Sequence, residues 1–249
     1  MRIGLISDVH ANVLALEAVL QSLQRRGVDM VVCLGDIVGY GPAPNETIEL
    51  LRRSEVLCTL GDADERIAYG FARHRRRAGV ADQTLEWTQG VLESKHLQWL
   101  RELPVQRRIE TPAGRLRAFH GSAEDPSERT NLQQDPMSLA RLLERHRASI
   151  LCSGGSHVPY FRRVGIAGWV VNPGSVGLSL NGEPGADYAL LDIEEGSVDV
   201  RMDKVDYDIA AVAFDIVAWG LPSVIAETIQ RGRMPSRSEA PDYEWRNEE

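Results

Sequence analysis

Aspartate and histidine recur in this chain where apolar runs stop. "GLISDVHAN" sets Asp8 and His10 one residue apart behind the run at 4–6, Asp36 follows the run at 30–34, and Asp62 and Asp64 follow that at 56–60. His120 and His157 close two later runs. One such residue is ordinarily structural: alone, Asp8 reads equally as a helix cap and His10 as incidental. Five strand-end placements in chain order are hard to obtain from packing needs alone. A mixed imidazole and carboxylate set suits divalent cations such as Mn, Fe or Zn, and the two oxygens of Asp36 allow it to bridge a pair of them.

The elements that must position these residues are legible from periodicity. Residues 4–6, 30–34 and 56–60 are short runs without polar alternation, as expected of strands covered on both faces. Val13, Leu16, Leu20 and Leu23 recur at helical spacing and stop at Gly27. "NETIELLRR" reads as a helix capped by Asn45, with Glu46 and Glu49 in its first turn. Strand, acidic loop and helix thus alternate three times, the pattern of an α/β sheet. Residues 66–103 read as mostly helical, with the basic run at 73–77 a solvated face. Residues 107–122 read as two strands about a turn, followed by a helix over 137–147 and a strand over 150–153. The chain is then rich in short strands up to 205, and a single C-terminal helix is expected over about 207–231.

Composition narrows the class. The 249 residues are 43% hydrophobic and 26% charged, with a formal net charge of -8. That is the balance of a globular chain with room for a sizeable core, and no run reaches the roughly 18 apolar residues of a membrane span. The negative charge argues against a phosphate-backbone grip on nucleic acid. Cys33, Cys58 and Cys152 sit far apart inside apolar runs, as buried reduced thiols do. With no signal segment at its start, the chain is expected to be cytoplasmic. The expected organisation is one domain over 1–206, a helix over 207–232 packed on it, and a mobile polar tail over 233–249.

"DVH" at 8–10, "GDIVGYGP" from Gly35, "GDAD" from Gly61, "FHGS" from Phe119, "GGSHVP" from Gly154 and "NPGSVG" from Asn172 resemble, in order and spacing, the motifs of the calcineurin-like metallophosphoesterases. The likeness is nearest to the small stand-alone bacterial and archaeal type and runs to about Asp192. It implies a four-layer α/β/β/α sandwich of two mixed sheets flanked by helices, whose strand-end loops hold one or two divalent ions and a bridging hydroxide that attacks a phosphate ester. The substrate would be a small phosphate ester or a nucleotide, cleaved as a mono- or diester; homo-oligomerisation stays open. Carried over, Asp8, His10, Asp36 and His157 match the first metal's ligands, and Asp36, Asp62 and His120 the second's.

Three positions depart from the family pattern. Asp62 stands where an asparagine is usual, Ala63 where a histidine contacts the phosphate and serves as proton donor, and Gly155 where a histidine binds the second metal. No catalytic acid is therefore assigned, and Asp64 loses the histidine it would orient, leaving a capping role open. The rival expectation is a degenerate relative that binds a phosphate ligand or a partner with little or no turnover. "NPGSVG" offers backbone N–H groups to either a phosphate or loop packing.

Overall fold

Ten strands and eight helices make up residues 1–70, 79–128 and 134–236, which the computed structural model describes. The first sheet has the order β10 (Ser197–Val205), β9 (Ala186–Glu194), β1 (Arg2–Ile6), β2 (Met30–Cys33), β3 (Leu57–Cys58). Strands β1, β2 and β3 run parallel, and β9 and β10 antiparallel. The second sheet has the order β4 (Gln106–Thr111), β5 (Gly114–Phe119), β6 (Ile150–Ser153), β8 (Gly168–Asn172), β7 (Tyr160–Val164), with β5, β6 and β8 parallel.

The sheets pack face to face. Ile3, Leu5, Val32, Leu34 and Leu191 of the first meet Leu116, Ile150, Cys152 and Val171 of the second in one apolar cluster. On the outer face of the first sheet, Ile6 and Cys33 pack against α1 (Val13–Arg25), α2 (Pro44–Arg53), α3 (Asp62–Tyr69) and α5 (Ser94–Arg101). Leu85 of α4 (Val80–Val91) joins the same cluster. Phe119, Leu151 and Val170 on the outer face of the second sheet pack against α6 (Pro136–His146). The layers are therefore α/β/β/α, as the resemblance implies. Burial on both faces explains why β1 is apolar without alternation.

Local expectations fail in three places. The C-terminal helix is two: α7 (Ile209–Ala218) and α8 (Ser223–Arg231) are separated at Gly220-Leu221-Pro222, where the proline cannot continue a helix. Asn45 does not cap α2, which begins two residues earlier than such a cap implies, with Pro44 behind Ala43. Its side chain accepts from the Glu93 N–H at 2.9 Å and donates to the Val91 carbonyl at 3.0 Å, with His96 Nδ1 at 2.8 Å, so it ties α2 to the α4–α5 turn. The third strand is only Leu57–Cys58, because Leu60 turns its N–H to the Pro104 carbonyl. The basic run at 73–77 and residues 237–249 of the expected tail lie outside the described residues. Among those described, no helix is long and apolar enough to cross a membrane. All three cysteines are buried and free.

Candidate functional site

The loop after β1 is clamped from two sides. Asp8 and His10 donate backbone N–H groups to the Gly35 and Asp36 carbonyls, both at 3.0 Å, and Ala11 does so to Ile37 at 2.8 Å. On the other side, Val176 and Gly177 donate to the Ser7 and Asp8 carbonyls, and the Ser175 hydroxyl donates to the Asp8 carbonyl at 2.7 Å. The N–H groups of Val176 and Gly177 thus hold the Asp8 loop, which decides for loop packing in that part of "NPGSVG". Clamping is needed because Asp8, His10, Asp36 and His157 all have φ between 48 and 57°. Each such non-glycine conformation costs about 1–3 kcal/mol and persists only where its surroundings enforce it.

Asp64 supplies a third restraint. Its buried carboxylate accepts from the N–H groups of Ile37, Val38 and Gly61, so it locks the loop after β2 onto the start of α3. This includes the helix-capping role left open above. Gly61 is required beside it, since a Cβ there would collide with the Asp36 backbone nitrogen.

These restraints bring five of the six candidate ligands together. Donor atoms of Asp8, His10 and His157 lie within 4.8 Å of one another, as do those of Asp8, Asp36 and His120. Asp8 belongs to both groups. His157 Nε2 is 3.2 Å from Asp8 Oδ1 and 3.2 Å from His10 Nε2, and His120 Nε2 is 3.4 Å from Asp36 Oδ2. Asp62 joins neither group, although its charge acts on both Asp36 and His120.

The histidines are oriented alike. Their Nδ1 atoms face backbone carbonyls: His10 that of Val38 at 3.4 Å, His120 that of Leu34 at 3.1 Å, His157 that of Leu178 at 2.8 Å. A carbonyl only accepts, so each Nδ1 carries the proton and the neutral ring turns its Nε2 lone pair inward. Asp8 Oδ1, completely buried, has no hydrogen-bond partner. An orphaned carboxylate oxygen facing converging nitrogen lone pairs fits a divalent cation. Two donors about 2.1 Å from a shared ion stand roughly 3.0–3.4 Å apart, the spacing that His157 keeps from both Asp8 and His10.

Electrostatics describe the same crowding. Burial pushes Asp36 up to about 7, assisted by the charges of Asp8, Asp64 and Asp62 against the opposing pull of His120. Burial and the charge of His157 bring His10 down to about 3. Burial would also lower His120 and His157, but the carboxylates around them prevail and both are raised. Burial alone would raise Asp8, yet the three imidazoles hold it below the usual range. Carboxylates packed this densely require positive charge from their surroundings.

The departures from the family pattern have structural counterparts. Ala63 is buried in the apolar cluster, and its N–H donates to Asp36 Oδ1 at 2.9 Å, leaving Oδ2 toward His120. Gly155 donates its N–H to Asp8 Oδ2 at 3.1 Å, and a Cβ there would stand 3.2 Å from His120 Nε2, on a backbone with φ of 77°. The glycine thus makes room for the His120 ring. Gly155→Ala is expected to lower the Tm by about 2–8 °C, from a left-handed penalty of about 1–2 kcal/mol, and to weaken cation binding at the His120 position. Unchanged melting together with unchanged metal affinity by calorimetry would contradict this.

Sequence reasoning missed Ser175 as a support of Asp8 and the contribution of α7 and α8 to the surroundings of His10. Ser175 lies inside a motif already singled out; nothing local marks the helices.

Comparison with known proteins places this geometry. The model of the calcineurin-like phosphoesterase superfamily domain matches residues 1–196. An uncharacterised protein of Methanocaldococcus jannaschii is 28% identical over 93% of this chain and 98% of its own. Phosphodiesterase YfcE of Escherichia coli is 25% identical over 80% of this chain and 91% of its own. A crystal structure of a metallophosphoesterase from Sphaerobacter thermophilus is 31% identical, covers 93% of this chain and 100% of its own, and superposes with a TM-score of 0.77. A match that takes in nine of the ten strands and every strand-end loop described above decides the question: the chain belongs to the calcineurin-like phosphoesterase superfamily.

Proposed function

We propose that the protein is a metal-dependent hydrolase of phosphate esters, acting on small diesters or monoesters. The observation that carries this is the pair of Nε2 atoms of His10 and His157 beside the unpartnered Asp8 Oδ1, with that of His120 beside Asp36 Oδ2 and all three Nδ1 atoms directed at backbone carbonyls. Divalent cations bound there would polarise the phosphoryl group and activate water. Asp8, His10 and His157 would hold one cation and Asp8, Asp36 and His120 the other, with Asp62 acting by its charge. The imidazole-rich first position suits Zn or Fe, and the carboxylate-rich second suits Mn. Similarity to a phosphodiesterase favours diesters. The buried free cysteines suit a reducing compartment, and we place the protein in the cytoplasm.

With Ala63 where a proton donor is usual, the chain's own residues orient and neutralise the phosphate without protonating the departing oxygen. General acid help is worth about 10²- to 10⁴-fold, so esters with good leaving groups are the expected substrates. Aryl phosphodiesters should be hydrolysed with added Mn or Zn, chelation should abolish turnover, and the same ions should raise the Tm of chelated protein. The second reading, a binding protein without turnover, is favoured by the clustering of Ala63, Asp62 and Gly155 in one half of the site. Stoichiometric metal with turnover no higher than that of Asp36→Asn would establish it and reject hydrolysis.

A further inference from the structure

His10 is the least firmly tethered of the three imidazoles. Its Nδ1 stands 3.4 Å from the Val38 carbonyl, whereas His120 and His157 keep 3.1 and 2.8 Å from theirs; an ordinary N–H···O bond spans about 2.7–3.2 Å. Its Nε2 is 3.9 Å from both Asp8 Oδ1 and Asp36 Oδ2, while that of His157 approaches Asp8 to 3.2 Å. Hydrogen bonding therefore fixes the His10 ring less than it fixes the other two, and packing supplies the rest. Tyr40 meets that ring edge-on, with centroids 4.7 Å apart and planes at 75°, within the roughly 4.5–7 Å of favourable edge-to-face pairs. The other aromatic neighbour, His157 at 4.9 Å, is itself a candidate ligand.

The backbone brings Tyr40 there at a cost. Its φ is 62°, and Gly39 before it has φ of 89°. Gly41 after it donates its N–H to the His10 carbonyl at 3.0 Å, and a Cβ on Gly41 would stand 2.2 Å from that oxygen, so the turn is closed against His10. A left-handed conformation is rare for a bulky residue and free of strain for glycine. A tyrosine at this position is thus explained by its side chain and not by the turn. The half-buried ring also packs against the apolar cluster in which Val212 and Ile216 of α7 and Ile225 and Ile229 of α8 are buried. Those helices lie beyond residue 196, outside the part of the chain that the family model matches.

Resting on the reading of Asp8, His10 and His157 as a cation position, we infer that Tyr40 is a positioning residue: its ring, braced by the C-terminal helix pair, holds the His10 imidazole with Nε2 turned toward that position. The common domain supplies the ligands, and the added helices steady one of them through Tyr40. His10 belongs only to the first of the two donor groups, so the effect is confined to that position. Loss of a group that orients a metal-binding histidine costs about 10–100-fold in affinity.

Calorimetric titration of chelated protein with Zn tests this without requiring turnover. Tyr40→Leu, which keeps a side chain on the left-handed backbone and removes the ring, should weaken binding of one ion by about 10-fold or more. Tyr40→Phe, which retains the ring, should bind as the unmodified protein does. Placed on His157→Ala, which lacks the first position, Tyr40→Leu should leave the affinity of the remaining ion as it is. With Co(II) as the probe, visible absorption reports the donor set, and Tyr40→Leu but not Tyr40→Phe should alter it. Tyr40→Asn, whose side chain tolerates this backbone, covers the case in which leucine prevents folding. Unchanged Zn affinity in a folded variant without the ring, the same loss in Tyr40→Phe as in Tyr40→Leu, or an equal loss on the His157→Ala background overturns the inference and leaves the cation site standing. Unmodified protein that binds neither Zn nor Mn rejects the reading and the inference together.

Discussion

Asp8→Asn should empty both cation positions, whereas His157→Ala should empty one. Asp8 is the residue common to the two donor groups, so its loss is felt by both. The asparagine fits the same space: its carbonyl oxygen keeps the Gly155 N–H, now 3.1 Å from Asp8 Oδ2. Its amide nitrogen then takes the place of Oδ1, 3.2 Å from His157 Nε2. There it donates to the lone pair that a cation would use, so the protein folds with its ligands satisfied by each other. Turnover should fall by about 10³-fold or more, since deleting one preorganised charge-stabilising group already costs about 10²–10³. His157→Ala leaves Asp8, Asp36 and His120 in place and should retain metal there. Elemental analysis of the two variants, with circular dichroism to verify folding, separates these outcomes; full metal content in Asp8→Asn would refute the assignment of the site.

Asp36→Asn should abolish activity while making the metal-free protein more stable. Asp36 Oδ1 accepts from the Ala63 N–H at 2.9 Å and Oδ2 faces His120 Nε2 at 3.4 Å. An asparagine keeps the first bond and donates the second, and removes a buried negative charge beside Asp8, Asp64 and Asp62. Burial raises Asp36 from its ordinary value of 3.8 to about 7 in the folded, metal-free chain. Between those values the native state holds a proton that the unfolded state has released, so this group's contribution to stability falls as pH rises through that window. The asparagine does not titrate. The gain should therefore be small near pH 5 and greatest at pH 8, where a Tm increase of about 4 °C or more is expected, at roughly 2–4 °C per kcal/mol for a chain of this size. Scanning calorimetry of chelated protein at both pH values measures it, and a Tm lowered at pH 8 would refute the account.

The sequence by itself determined which strands exist and what stands at their ends. Apolar runs covered on both faces announce β1, β2 and β6, and a polar residue directly behind such a run must lie in the loop at the strand's carboxyl end. Asp8, His10, Asp36, His120 and His157 were legible for that reason. Where an element's end depends on a neighbour, local pattern failed: Asn45 was committed to His96 and α4 rather than to its own helix, and the break at Gly220-Leu221-Pro222 separated two helices that read as one. The tertiary structure alone decided the direction of the donor atoms. Four candidate ligands sit at positive φ, which a free chain avoids and which is imposed by residues distant in sequence: Ser175 holds Asp8 across 167 positions, and Asp64 holds Ile37 across 27. The same distance dependence left Asp62 outside the donor groups and put α7 and α8 beside His10. Spacing along a chain records which residues can reach a loop. Which lone pair points inward depends on contacts that form only once the sheets and their loops have closed around it.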